Sequence, residues 1–266
     1  MIKKTNDSST WRLIFPEYND PFLNLALEDV LFQEISKNGF NCILRFWKVH
    51  PCCIIGRHQY LHQEINEDYC KKKRIPIIRR ISGGGAVYLD LGCLNFSLIF
   101  NEWEIHSFSA EDSYSLILRP IIKALKALSF EVRFVSPNSL FYEGKKVSGS
   151  SQFRKGNVIL HHGTLLLDSN LNELNKSLAS KSKIHYEKSI KSVKVNTTNL
   201  FNDFYGNFKD DHLIKSIIST FENDYNFKFE EKPLQINEIE KANELVTKKY
   251  SSLNWTYHSR IFNIPR

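Results

Sequence analysis

Residues 79 to 89, RRISGGGAVYL, set two arginines and a serine before three consecutive glycines and a strand-like run. Glycine costs conformational entropy, so it belongs where the backbone needs positive φ or where another group must lie against the chain. Arg79 and Arg80 add planar, charged forks suited to phosphate or carboxylate, and bare glycine N–H groups can line an anion-binding concavity. The spacing is neither GxGxxG nor GxxxxGKS/T, so neither the dinucleotide fingerprint nor the P-loop is indicated. A glycine-rich hairpin turn is the competing reading.

A second unusual region follows, KKVSGSSQF (145–153) and then LHHGTLL (160–166). Alternate residues of a strand share a face, so Lys146, Ser148 and Ser150 are expected to form one polar set and Lys145, Val147 and Gly149 the other. That parity favours Lys146 as a site lysine, against the plainer reading of a solvated edge-strand lysine. The same parity lets only one of His161 and His162 enter a pocket and leaves the other as a hydrogen-bonded core histidine. Five cysteines, Cys42, Cys52, Cys53, Cys70 and Cys93, form an odd set without CxxC spacing. They are expected as reduced thiols in strands, neither a disulfide framework nor a zinc site, and no metal-ligating set is expected.

The elements that must position these residues are legible in part. WRLIF (11–15) reads as a strand, and Asp20 and Pro21 open a helix as N-cap and N1, with Gly39 after its end. CILRFW (42–47) and CCIIG (52–56) read as strands, residues 59–73 as a polar helix, and CLNFSLIF (93–100) as a long apolar strand. A helix over 109–129 starts at Ser109 and Asp112, with Pro120 expected to kink it. Strands are expected at 130–135, 139–142, 145–151, 157–162 and 164–168, and helices at 171–179, 211–225 and 235–250. Without repeats or a composition break, the expectation is one α+β domain over 1–266, a mixed β-sheet packed with helices.

With 266 residues, 42% hydrophobic and 13% aromatic, the chain can bury a substantial core. No apolar run approaches a membrane span, and MIKKTNDSST turns polar without an apolar signal region, so a cytoplasmic protein with no membrane partner is expected. The net charge of +7 and the run KKKR at 71–74 could suggest nucleic acid. The charge is spread along the chain, however, so an acidic protein or a phosphate-bearing ligand is the expected partner.

In order and spacing, RRISGGGAVYLDLGCLNFS, KKVSGSSQ and HHGTLLLD resemble the lipoate-protein ligase A family, relatives of the biotin-protein ligases. DPFLNLALEDVLF (20–32), RFWKVHPCCIIGRHQ (45–59) and SIKSVKVNTTNL (189–200) extend the likeness over nearly the whole chain. The resemblance implies the biotin/lipoate-ligase catalytic fold and a two-step reaction. Lipoate and ATP, with Mg2+, give lipoyl-AMP and pyrophosphate, and a lysine of a lipoyl domain of a 2-oxoacid dehydrogenase E2 subunit or of glycine-cleavage H protein then displaces AMP. It implies that Arg80, Gly85, Ala86, Val87 and Tyr88 contact the nucleotide, that Ser82, Gly83 and Gly84 shape the turn, and that His162 joins the binding site. Lys146 is implied as the catalytic lysine, a stabilising cation rather than a nucleophile.

The chain departs from the family pattern at Leu89-Asp90, Gly92-Cys93 and Pro137-Asn138-Ser139, where the usual pairs are His-Asp and Gly-Asn and the usual triplet Arg-Asn-Asp. It also stops near where longer ligases begin a small C-terminal domain. The expectation is a catalytic domain whose accessory domain is a separate protein, with Trp255 and Tyr257 either its docking site or a pin for the C-terminus. Two other functions compete: an octanoyl or lipoyl amidotransferase with Cys93 as nucleophile, and a non-catalytic basic binding module.

Overall fold

A computed structural model describes residues 10–15, 17–35, 42–102, 109–178, 191–193, 195–201 and 210–258. In chain order its elements are β1 (Thr10–Ile14), α1 (Pro21–Glu34), β2 (Cys42–Trp47), β3 (Cys52–Ile55), α2 (Leu61–Glu64), α3 (Glu67–Lys73), β4 (Ile77–Arg79), β5 (Val87–Leu89) and β6 (Cys93–Asn101). There follow α4 (Ala110–Ala127), β7 (Arg133–Val135), β8 (Ser139–Tyr142), β9 (Lys145–Lys155), β10 (Val158–Leu166), α5 (Leu171–Ser177), α6 (Asp210–Tyr225), β11 (Lys228–Glu231), α7 (Ile236–Leu245) and α8 (Leu253–His258). An eight-stranded sheet runs β11-β1-β2-β6-β10-β9-β8-β7, and a three-stranded sheet runs β4-β3-β5. β1 pairs in parallel with β2 and β11 while β2, β6, β10, β9 and β8 pair antiparallel, which makes the large sheet mixed.

Strand β6 shows why the sheet is a middle layer. All nine of its residues are buried. Leu94, Phe96, Leu98 and Phe100 enter a core shared with Ile117 and Ile121 of α4 and Ile217 and Phe221 of α6. Cys93 and Ile99 enter a second core with Leu27 and Leu31 of α1 and Ile54 of the small sheet. A strand covered on both faces reads as a continuous apolar run, as this one does. Between Cys93 and Ile99 on the second face sit Asn95 and Ser97, both fully buried and hydrogen-bonded to Trp47, Thr164 and Glu28.

Helix entry follows the local chemistry. Asp20 accepts from the Leu23 N–H at 2.9 Å with Pro21 at N1, and Ser109 accepts from the Asp112 N–H at 3.0 Å. Pro120 is buried inside α4, which runs on to Ala127. Gly39 lies outside the described residues. The helix expected over 59–73 is two helices, because Asn66 starts a new one by accepting from the Tyr69 N–H while Ile65 is extended and buried. The strands expected at 157–162 and 164–168 are one, β10, continuous through Gly163. Strand formation at 130–135 is confined to β7, and 235–250 ends in a π-helical turn, Val246–Tyr250. Strand β11 is an addition: its KFEE sequence carries little apolar signal, and its pairing with β1 supplies the strand. Among the described residues no helix is long and apolar enough to cross a membrane.

Candidate active site

The small sheet presents the glycine turn, residues 80–86, to β9 and β10 of the large sheet. Gly84 has φ +81, the left-handed region that favours glycine. Gly85 is needed for contact, since a Cβ there would stand 2.9 Å from Ser192 Oγ. Gly56 of the β3 end has the same kind of reason, because its Cβ would meet the Gly84 carbonyl oxygen at 2.2 Å. Nothing lies within 4 Å of a Cβ on Gly83, and no packing reason for that glycine is present.

The two arginines do different work. Arg79 turns away from the cleft and donates to the carbonyls of Gly56 at 2.8 Å, Gln59 at 2.8 Å and Thr256 at 2.6 Å. Arg80 lines the cleft but directs its donors at its own loop: Nε to Ser82 Oγ at 2.9 Å, and Nη2 to the carbonyls of Gly83 and of Gly85, the latter at 2.8 Å. Burial pulls its pKa down to about 10, opposed by the carboxylate of Glu28.

Behind the turn runs a buried hydrogen-bonded chain. Ser82 Oγ lies 2.6 Å from His162 Nε2, and His162 Nδ1 lies 3.0 and 3.1 Å from the two oxygens of Glu28. Glu28 also accepts from Ser97 Oγ, which in turn accepts from Trp47 Nε1 at 2.8 Å. Burial pushes the Glu28 carboxyl up, but the His162 and Ser97 contacts and the charge of Arg45 outweigh it and hold the pKa below the ordinary value. His161 points to the opposite face, fully buried against Phe96 and Tyr114 with Nδ1 3.0 Å from Gln152 Nε2. Burial drives its pKa down to about 3, so it is a neutral core residue.

Lys146 faces the cleft for a reason other than simple alternation. The β8–β9 register slips between Leu140 and Phe141, so that Leu140 opposes Ser148 while Phe141 opposes Lys146. Val147 is the extra residue of a β-bulge, and beyond it the faces exchange. Gly149 shares the lysine's side, with its Cβ position 3.0 Å from Lys146 Cε and Nζ. Ser148 stands opposite Leu165, and Ser150 Oγ lies beside Gly163 against Phe96, so both serines face the α4/α6 core. The polar set of Lys146, Ser148 and Ser150 is therefore broken, whereas Ser151, on the lysine's side, donates to the Gly83 carbonyl at 2.9 Å. Lys146 is half-buried, burial lowers its pKa, and its Nζ has no hydrogen-bond or ion-pair partner among the described residues.

Two cavities of about 480 and 410 Å³ meet at Lys146, Gly149, Ala86 and Val87 and form one cleft. Leu25, Trp47, Ile54 and Leu89 make the smaller chamber apolar, with His162 at its wall. Tyr88, Thr164, Leu166 and Leu174 line the larger. Ser192 lies over the junction: its Oγ accepts from the Ala86 N–H at 2.8 Å and from Gln59 Nε2 at 3.1 Å, and its N–H donates to Glu64. The following residues pair with the start of β9, Lys146 N–H donating to the Asn196 carbonyl at 2.8 Å. Arg80, Gly84, Gly85, Ala86, Val87, Lys146 and His162 thus meet in one chamber, Tyr88 lines the other, and Ser82 and Gly83 stand behind the turn.

Cys93 is fully buried beside Asp90, and burial followed by that carboxylate pushes its thiol up to about 12. All five cysteines are buried thiols outside any disulfide, and none lines either chamber. Asp90 is occupied by Gly92 N–H, Ser169 Oγ and Asn170 N–H. The described residues do not fit a protein-held Mg2+ site. Glu64 is the one carboxylate lining the cleft and is taken by the Ser192 N–H, while Asn138 and Ser139 offer neutral oxygens.

Sequence reasoning missed Glu28, Ser151 and Gln59. The signal for Glu28 was its place with Asn24, one turn earlier, on the buried side of an otherwise apolar helix.

An apolar chamber beside a glycine turn, with Lys146 at the junction and no partner for its Nζ among the described residues, suits an acyl-activating catalytic domain. The chain belongs to the lipoyl protein ligase A/B catalytic domain family, which matches residues 20–222, and it is an enzyme of that ligase family. It is 32% identical over 258 residues to the Bacillus subtilis lipoate-protein ligase LplJ, covering 92% of this chain and 73% of that protein. It is 28% identical to the Staphylococcus aureus octanoyltransferase LipM, covering 94% and 99%. A lipoic-acid-bound structure of a putative lipoate protein ligase from T. acidophilum shares the fold, with a TM-score of 0.79 at 24% identity over 93% of this chain and 99% of that one.

Proposed function

We propose that this enzyme activates lipoate with ATP to lipoyl-AMP and then transfers the lipoyl group to the ε-amine of a lysine on a lipoyl domain. In the first step a lipoate carboxylate oxygen bonds to the α-phosphorus and pyrophosphate leaves. In the second the amine bonds to the lipoyl carbonyl carbon, loses a proton, and AMP leaves. Both steps build negative charge at the meeting point of the acyl and nucleotide groups, and a fixed cation there lowers both barriers. The observation that carries the reading is Lys146, at the junction of the two chambers and without a partner among the described residues. The apolar chamber suits an acyl chain, and the larger one, with Ala86, Val87 and Tyr88 along its wall, suits the nucleotide.

The amidotransferase reading needs a thiolate in the cleft. It is disfavoured by the burial of all five cysteines and by the raised pKa of Cys93. The test is lipoate-dependent exchange of labelled pyrophosphate into ATP, followed by mass analysis of a lipoyl domain. An ATP-independent acyl transfer passing through a cysteine adduct would replace this reading with the competing one.

A further inference from the structure

Peptide planarity gives the buried chain behind the glycine turn a task. In a trans peptide the C=O and the following N–H point in opposite directions. Arg80 Nη2 holds the Gly85 carbonyl, so the following N–H, that of Ala86, points the opposite way. The Ala86 N–H does reach out, to the hydroxyl of cleft residue Ser192.

What holds Arg80 in that pose is the chain ending at Glu28. Its carboxylate only accepts, so the His162 Nδ1 carries hydrogen toward it. His162 Nε2 then accepts from the Ser82 hydroxyl, and the Ser82 oxygen is free to accept from Arg80 Nε. Every group in this order has a partner, and Glu28, Ser82, His162 and Arg80 are at most 8% exposed. Reversing the His162 tautomer leaves the Ser82 proton without an acceptor and sets two bare acceptors, Nδ1 and Glu28, against each other.

We propose that Glu28 and His162 are positioning residues that act through Ser82 and Arg80 to aim the Ala86 N–H group at an anionic oxygen of the acyl-adenylate. Ser192 Oγ fills the Ala86 donor's place when no nucleotide is bound. This rests on the ligase reading and assigns the turn's orientation to a helix residue, Glu28, that does not line the cleft.

The test uses Ser82→Ala, Glu28→Gln and the double variant of the full chain, with a non-hydrolysable lipoyl-sulfamoyl-adenosine as the probe. Each single variant should weaken its binding about 10- to 100-fold, the size of one hydrogen bond to a charged group, while lipoate alone binds within about twofold of wild type. Because Glu28 and Ser82 touch only through His162, the double variant should be no weaker than the worse single. Losses that multiply, or equal losses for lipoate alone, overturn the proposal. ¹⁵N shifts of His162 in the wild type give a reading independent of activity: hydrogen on Nδ1 is expected, and hydrogen on Nε2 alone overturns it. If wild type neither forms lipoyl-AMP nor transfers the acyl group from supplied lipoyl-AMP, the ligase reading fails while the ¹⁵N result still decides the chain.

Discussion

Lys146 carries its charge where burial opposes it, and its pKa lies below the ordinary 10.5 for that reason. Between the folded and the unfolded pKa the unfolded chain binds more protons, so the lysine's cost is present at neutral pH and is relieved as pH rises through the folded value. Two consequences follow from one residue. Lys146→Met should unfold at a higher temperature than wild type at neutral pH and be inactive. Lys146→Ala should lose about 10²- to 10³-fold in transfer from supplied lipoyl-AMP, with Lys145→Ala near wild type. Near-wild-type transfer by either Lys146 variant contradicts the assigned role. Cys93→Ser should keep most of the activity, and intact-mass measurement after incubation with an acylated donor protein should show no adduct on the wild-type thiol.

The strands and helices explain how much of this was legible. Helix caps at Asp20 and Ser109 are local chemistry, and α1, β6 and α6 carry patterns long enough to read. Strand β9 shows the limit. Alternation picks out Lys146, which does line the cleft, but for a reason that the bulge at Val147 removes, and a bulge is set by the partner strand, which no local pattern reports. Glu28, His162 and Ser82 were unreadable as a unit because they come from α1, β10 and the β4–β5 turn and meet only in the folded chain. Gly163 was read as a break between strands, yet it is a packing position, with its Cβ site 2.4 Å from Phe96 Cζ. Gly163→Ala should therefore destabilise the fold by about 1–3 kcal/mol, the usual range for overpacking, measurable by urea unfolding. An unchanged midpoint contradicts the packing account.

Across the whole molecule, the large sheet supplies Lys146 and His162, the small sheet the turn, and α1 the buried carboxylate, so the shape of the cleft depends on how the layers seat together. Two buried arginines fasten the outlying parts. Arg12 of β1 grips Glu238 of α7 at 2.6 and 2.8 Å. Arg79 holds the carbonyls of α8, where Trp255 returns a hydrogen bond to the Arg79 carbonyl at 2.7 Å and packs under Lys249, 4.3 Å from its ring centroid. Of the two expectations for Trp255, the pin fits these contacts. Glu238→Ala should leave Arg12 buried without its counter-charge and cost about 3–5 kcal/mol, read by thermal and urea unfolding. The central claim is that one cleft joins an acyl group to a nucleotide under Lys146. It is tested most directly by incubating the purified chain, with and without a candidate accessory protein, with lipoate, ATP and labelled pyrophosphate. Lipoate-dependent label in ATP, abolished in Lys146→Ala, is the predicted result. Label that appears without lipoate, or that survives in Lys146→Ala, contradicts it.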